Sequence, residues 1–276
     1  MFEGVSEAWL RFGVFAGVFL LLAGLERLHP RRRLNANKTR RWLTNLSIVG
    51  IDGLVVRAMA MFAVPLAGTA AAVYATANSI GIFNWIDLPD WLEVLLAVII
   101  LDFAIWLQHV ATHKVPLLWR LHQVHHADRD IDVTTAIRFH PVEIGLSVLW
   151  KMVCVLILGA SVPAVILFEI LLNACAMFSH ANIALPTTLD RALRSLIVTP
   201  DMHRVHHSVL RHEHDSNYGF NLSVWDRLFG TYNENPEKGH DAMTIGLTAY
   251  QSDEPTKLSW SLLLPFRGGR GGAKNT

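Results

Sequence analysis

Fourteen histidines stand in a chain of 276 residues, and twelve of them fall between His109 and His214. Eight form three clusters: H-V-A-T-H with His109 and His113, H-Q-V-H-H with His122, His125 and His126, and H-R-V-H-H with His203, His206 and His207. On a helix the i, i+4 pair lies within about 40° on one face, and each H-x-x-H-H triplet fans over roughly 100°. The adjacent pair in each triplet diverges by one residue's rotation, so one box can feed two metal ions. Imidazole suits iron, zinc, copper or nickel, and a structural zinc closes with four ligands. Eight histidines therefore imply two ions. Competing chemistries fit less well. The chain has no H-E-x-x-H string for a zinc hydrolase, and its one Glu-x-x-His, Glu26 to His29, lies far from the clusters, whereas a carboxylate di-iron bundle needs two. Haem held by two imidazoles needs single histidines facing one another inside the spans. The two cysteines, Cys154 and Cys175, sit in apolar runs and supply neither a disulfide framework nor a thiolate site. Two metals held chiefly by neutral imidazoles point to a histidine-rich di-iron centre that activates oxygen.

Other residues are candidates to complete such a centre. Asp102 precedes His109 by seven residues, hence on nearly the same helix face, and is expected to accept the free N–H of His109 or a neighbour. His140 and His180 each stand where an apolar helix starts or ends, and either can supply a further ligand. His212, His214 and His240 fall in polar loop sequence and read as surface; His29 has no assigned role.

The elements that position these residues are apolar. Of the 276 residues, 52% are hydrophobic and only 17% are charged, with a mean hydropathy of +0.32, which argues against an ordinary soluble domain. A net charge of +1 argues against a nucleic-acid partner. Membrane helices are expected at about 9–28, 42–66 and 91–110, with a hairpin over 143–179 broken between Gly159 and Pro163. Arg27, Arg31, Arg32, Arg33, Lys38, Arg40 and Arg41 follow the first span, which places that loop in the cytoplasm and the N-terminus outside. The stretch from Ala67 to Asp90 lacks Lys and Arg and reads as an outer loop or interfacial helix. The chain is thus expected to be a single all-α membrane domain of about four to five membrane-embedded helices. A helical cytoplasmic cap, 109–140 and 180–235, carries the two-metal site, and the tail 268–276 is expected to be disordered.

The three boxes with their flanking strings, H-Q-V-H-H-A-D-R-D-I-D-V-T-T-A-I-R-F-H-P-V-E, T-P-D-M-H-R-V-H-H-S, D-S-N-Y-G-F and W-D-R-L-F-G-T-Y, resemble the fatty acid hydroxylase/sterol desaturase superfamily of membrane di-iron oxygenases. The resemblance covers about Trp91 to Tyr232. It implies two iron ions held by the eight box histidines, strengthens His140 and His180 as the ninth and tenth ligands, and adds Glu143, in the same string as His140, as a support behind the ligands. Arg138, Asn217, Tyr218 and Asp226 are expected to brace the cap, Asn217 close behind the ligands. The implied activity is hydroxylation, or desaturation, of an unactivated C–H bond of a lipid such as a sterol or fatty acyl chain, using O2. No fused cytochrome domain is expected, so electrons come from a separate carrier, a ferredoxin or a b-type cytochrome with its reductase. The expected location is the membrane with a cytoplasmic active site, a bacterial inner membrane before an endoplasmic reticulum. The rival is a histidine-rich metal transporter or sensor, whose sites belong nearer mid-bilayer.

Overall fold

Long unbroken apolar runs without proline leave the backbone one way to satisfy its own polar groups in lipid, the α-helix. The computed structural model describes residues 7–62 and 68–267. Five of its helices are long and apolar enough to cross a membrane: α1 (Glu7–Leu28), α2 (Lys38–Phe62), α4 (Asp90–Lys114), α6 (Pro141–Leu158) and α7 (Val162–His180). Between α2 and α4 lies a shorter helix, α3 (Gly68–Ala77), where the sequence suggested a loop or interfacial helix; its buried Ala71, Ala72 and Ala75 pack inward. The remaining helices are α5 (Pro116–His126), α8 (Thr187–Arg194), α9 (Pro200–His206), α10 (Arg211–His214), α11 (Val224–Leu228), α12 (Gly239–Ala242) and α13 (Leu258–Leu263). The chain is all-α; among the described residues β pairing is limited to three isolated bridges. The last residues of the span expected at 42–66 and the tail 268–276 fall outside the described residues.

Local sequence sets the helix ends that matter for the site. Proline at the first helical position starts α5, α6 and α9, where its missing N–H costs no bond. Thr199 caps α9 by accepting from Met202 N, and Ser161 caps α7 by accepting from Ala164 N. Gly159, with φ of 67°, ends α6 and turns the hairpin into α7. Glu93 near the start of α4 clamps that turn, accepting from Ser161 N at 3.0 Å and Ser161 Oγ at 2.6 Å. The turn and the start of α4 are thereby at one end of the bundle, and the ends of α4 and α7 that carry histidines are at the other.

One apolar core joins α3, α4, α6 and α7 through Ala97, Leu101, Val155, Ala164 and Phe168. A second lies between α1, α7 and the loop around Val133, and a third under α5 joins Val124 to Trp260 and Leu264. Polar residues fix the seam where the spans meet the remaining chain. Buried Arg41 donates to Asp128 at 2.7 and 2.8 Å and to Asp132 at 2.7 Å, so the first residues of α2 lock the loop that follows α5. Arg138, fully buried, spreads its donors over Val124 O, Asn45 Oδ1, Pro255 O and Ser261 Oγ. One guanidinium thus holds α2, α5 and α13 together, the fork geometry that lysine lacks.

Candidate metal centre

Four elements carry histidines to one place. The last turns of α4 bring His109 and His113, α5 brings His122, His125 and His126, the end of α7 brings His180, and α9 with the residue after it brings His203, His206 and His207. All are buried. They sort into two groups whose candidate ligand atoms lie within 4.8 Å of one another: His109, His113, His122, His126 and His206 in the first, and His125, His180, His203 and His207 in the second. Neighbours in sequence part company. His126 and His206 enter the first group while His125 and His207 enter the second, with ring planes at 88° within the α5 pair and 82° within the other. That divergence follows from the 100° step between successive helical residues.

The ring nitrogens are oriented from behind. Nδ1 lies 2.7 Å from Tyr218 O in His109, from Ser216 O in His206 and from Ala176 O in His180. A carbonyl can only accept, so these three rings carry the proton on Nδ1 and turn a bare Nε2 inward. Glu143 plays the same part for His122, its Oε1 2.6 Å from Nδ1. In the first group the Nε2 atoms of His109, His113, His122, His126 and His206 are buried with no hydrogen-bond partner among the described residues. In the second, His180 Nε2 lies 3.1 Å from Nε2 of His125 and of His203, and 3.3 Å from that of His207. Four nitrogens crowded around His180 Nε2, and five buried without a partner among the described residues, are an arrangement a shared cation resolves. Burial, followed by the neighbouring imidazoles, holds His125, His126, His203 and His207 well below the usual histidine range; for His206 burial also dominates. Their lone pairs are therefore free at neutral pH. An all-imidazole donor set fits a transition metal and not magnesium or calcium.

Two candidates are corrected. His140 stands apart from both groups as the N-cap of α6: its Nδ1 accepts from Val142 N at 3.2 Å, and its Nε2 lies 3.1 Å from Leu262 O, so both nitrogens are occupied. Asp102 does not orient His109, which is served by the Tyr218 carbonyl. Its Oδ2 instead accepts from Leu222 N at 3.2 Å and from Trp225 Nε1 at 2.8 Å. Asn217 lies behind the groups and joins Met202 O to Asn233. Asp226 accepts from Tyr218 N and Gly219 N at 2.8 Å, and thus holds the carbonyl that holds His109.

Several participants have no conspicuous signal in the sequence. His214 reads as surface but is half-buried, stacked on Trp119 at 5.5 Å, and with Asp215 approaches His113. Asp215 Oδ1 lies 3.6 Å from His113 Nδ1. His240 is likewise half-buried, beside Asp201, whereas His212 is exposed. Glu26 accepts from Val133 N and Asn182 N at 2.7 and 2.8 Å, tying α1 to the chain just after His180.

The profile of the fatty acid hydroxylase family matches residues 94–231, half of the chain, a stretch that holds all nine grouped histidines. Ornithine lipid hydroxylase OlsE of Rhizobium tropici is 29% identical over 58% of this chain and 47% of its own length. Alkylglycerol monooxygenase of Homo sapiens is 31% identical over 65% of this chain and 38% of its own, and the enzyme of that name from Xenopus tropicalis 32% over 61% and 37%. The chain thus spans less than half the length of these relatives. No solved structure matches it. With the three boxes, the hairpin and both histidine groups inside the matched stretch, the chain belongs to the fatty acid hydroxylase family.

Proposed function

We propose that this protein is a membrane oxygenase that hydroxylates an unactivated C–H bond of a lipid, using two iron ions, O2 and electrons from a separate carrier. The observation that carries the reading is the convergence of nine buried imidazoles, in a group of five and a group of four, at one end of five apolar helices. Bound there, a pair of irons would supply the reductive activation of dioxygen that side chains cannot perform. The chain's own residues do the rest. The carbonyls of Ala176, Ser216 and Tyr218 and the carboxylate of Glu143 fix the tautomers and aim the ligands. The buried shell around them keeps bulk water from the reacting carbon. A site at the ends of spans is within reach of a lipid whose tail stays among the helices.

Hydroxylation is preferred to desaturation because the relatives are named hydroxylase and monooxygenase. Segments 109–140 and 180–235 are assigned to the cytoplasmic side, where a ferredoxin or b-type cytochrome with its reductase can reach them, and the membrane to a bacterial inner membrane. The basic loop after α1 supports that sidedness.

Metal analysis of the purified chain and lipid mass spectrometry of cells with and without the gene test the reading together. The expected results are near two irons per chain and a lipid species heavier by one oxygen. His125→Ala and His206→Ala, one in each group, lose metal and activity. Stoichiometric zinc with activity retained in both variants would refute the proposal, and metal flux across vesicles without oxygen consumption would point to a transporter.

A further inference from the structure

An apolar edge lies beside α4 and outside everything so far described. On α8 and just after it, Leu189 and Leu196 are exposed at 45% and 64%; on α11 and just after it, Leu228 and Phe229 are exposed at 67% and 50%. The two stretches are one surface. Ile197 and Leu222 form a bridge, Ser223 N donates to Leu196 O at 3.1 Å, and Ser223 Oγ and Arg227 both donate to Arg194 O. Four large apolar side chains exposed on two stretches tied to one another mark a contact with something apolar.

Depth identifies the partner. Phe229 stacks on Trp106 and Phe103 of α4, with ring centroids at 4.7 and 5.7 Å. Trp225 and Leu222 reach Asp102, the middle residue of the 25 in α4 and hence about 18 Å from either end. Glu93 and the hairpin turn mark the far end of α4. A hydrocarbon core about 30 Å thick, measured from Asp90, runs along roughly twenty residues to about Val110. The contacts at Asp102, Phe103 and Trp106 fall inside it.

The backbone of this edge is built for such a place. Irregular chain at hydrocarbon depth is tolerated only where its polar groups are satisfied by protein. Here Asp226 accepts from Tyr218 N and Gly219 N, Asp102 from Leu222 N, and Leu196 O from Ser223 N, while Asn221 O accepts from Val198 N at 2.9 Å. Besides holding the peptide behind His109, Asp226 thus joins Asp102 in serving the N–H groups of a non-helical loop with no water to turn to.

We propose that α8, α11 and the loop 217–223 dip into the bilayer from the side to which 180–235 is assigned, as a membrane-embedded, non-spanning edge of that segment, and that the partner of this edge is the lipid of the same bilayer that surrounds α4. The inference rests on α4 being a span and not on the reading of the metal centre. Its test uses the full chain in proteoliposomes, with Cys154 and Cys175 replaced by serine and a single cysteine carrying an environment-sensitive fluorophore at Leu196, Leu228, Leu20 or Glu254. Leu20 is a lipid-facing control on α1, and Glu254 is an exposed control beyond the spans. Acyl-chain-brominated lipid is expected to quench the probes at Leu196 and Leu228 as it does the one at Leu20, with the Glu254 probe unquenched. Quenching at the Glu254 level with free reaction toward aqueous maleimide would overturn the proposal. Protection from maleimide without quenching would overturn it too, since a second copy of the chain would then cover the edge. Should a variant fail to fold, lipid-borne carbene labelling of the unmodified chain reads the same question: label on peptides 187–196 and 224–229 supports it, and its absence there with label on α1 refutes it.

Discussion

Replacing Asp226 by asparagine isolates the support of the first histidine group from its ligands. The carboxylate is fully buried and takes four donors: Tyr218 N at 2.8 Å, Trp106 Nε1 at 3.1 Å and Thr231 Oγ1 at 2.7 Å on Oδ1, and Gly219 N at 2.8 Å on Oδ2. Asparagine keeps one acceptor and turns the other into an NH2 aimed at the Gly219 N–H. There is no slack to move apart, because a Cβ on Gly219 would already lie 3.0 Å from Oδ2. The lost bond to a charged acceptor costs about 1.5–3 kcal/mol. The three others pass from a charged to a neutral acceptor, roughly half as strong, for about another 1–2 kcal/mol. Relief from burying a charge offsets part of this, leaving a net loss of about 2–4 kcal/mol. Because the Tyr218 carbonyl orients His109, metal affinity should also fall, by roughly 10–100-fold as for other supports behind a ligating imidazole. Denaturant unfolding in detergent gives the first quantity, and metal titration with competing chelator gives the second. Thr231→Val, which removes one donor and leaves the carboxylate, should cost only about 1 kcal/mol. Unfolding unchanged within about 0.5 kcal/mol, with full metal content, would refute the chain of support from Asp226 through Tyr218 to His109.

Glu143→Gln keeps an acceptor for His122 Nδ1 but removes the charge, so metal affinity should fall by about tenfold, and Glu143→Leu, which removes both, should approach 100-fold; equal affinities in all three proteins would argue against the contact mattering. Acid should destabilise the metal-free protein. Burial holds His125, His126, His203, His206 and His207 below their usual range and brings His240 to about 4. The unfolded chain therefore takes up protons below about pH 6.5 that the folded chain refuses, so stability is constant above that pH and declines below it. Unfolding midpoints measured from pH 7.5 to 4.5 check the sign, and a rise toward acid would contradict it. Gly159→Ala should lower stability by about 1–3 kcal/mol without changing metal content, since φ is 67° and a Cβ would lie 2.5 Å from Asn84 Nδ2 and 2.6 Å from Ile80 O; thermal unfolding with metal analysis separates the two effects.

What the sequence discloses is what lies within one helical turn. The H-x-x-H-H boxes announce both their candidate ligands and the division of adjacent histidines between two groups, because the rotation between neighbours is a property of the helix alone. The apolar runs announce spans for the same reason. His140 shows where such local reading stops: H-P-V-E has the look of a ligand string, yet a polar residue before a proline at the first helical position is also a cap, and Val142 N takes the imidazole. Asp102 fails differently. Its face is shared with His109, but its partners Leu222 and Trp225 lie 120 and 123 residues away, where no periodicity points. The orientation of His109 depends on a contact of the same long-range kind, with Tyr218 109 residues away, whereas His206 finds Ser216 only ten residues on. Helical carbonyls are largely spent on their own ladder, so imidazoles on α4 and α9 must find acceptors elsewhere. Ser216 and Tyr218 offer theirs from irregular chain bent by Asn217, which at φ of 52° adopts the left-handed region that asparagine tolerates better than most residues. Asn217 is pinned there by Met202 and Asn233, and Met202 belongs to the helix that carries His203 and His206. The turn that aims His109 and His206 is thus fastened to the helix bearing one of them, so helix and turn can only be displaced together.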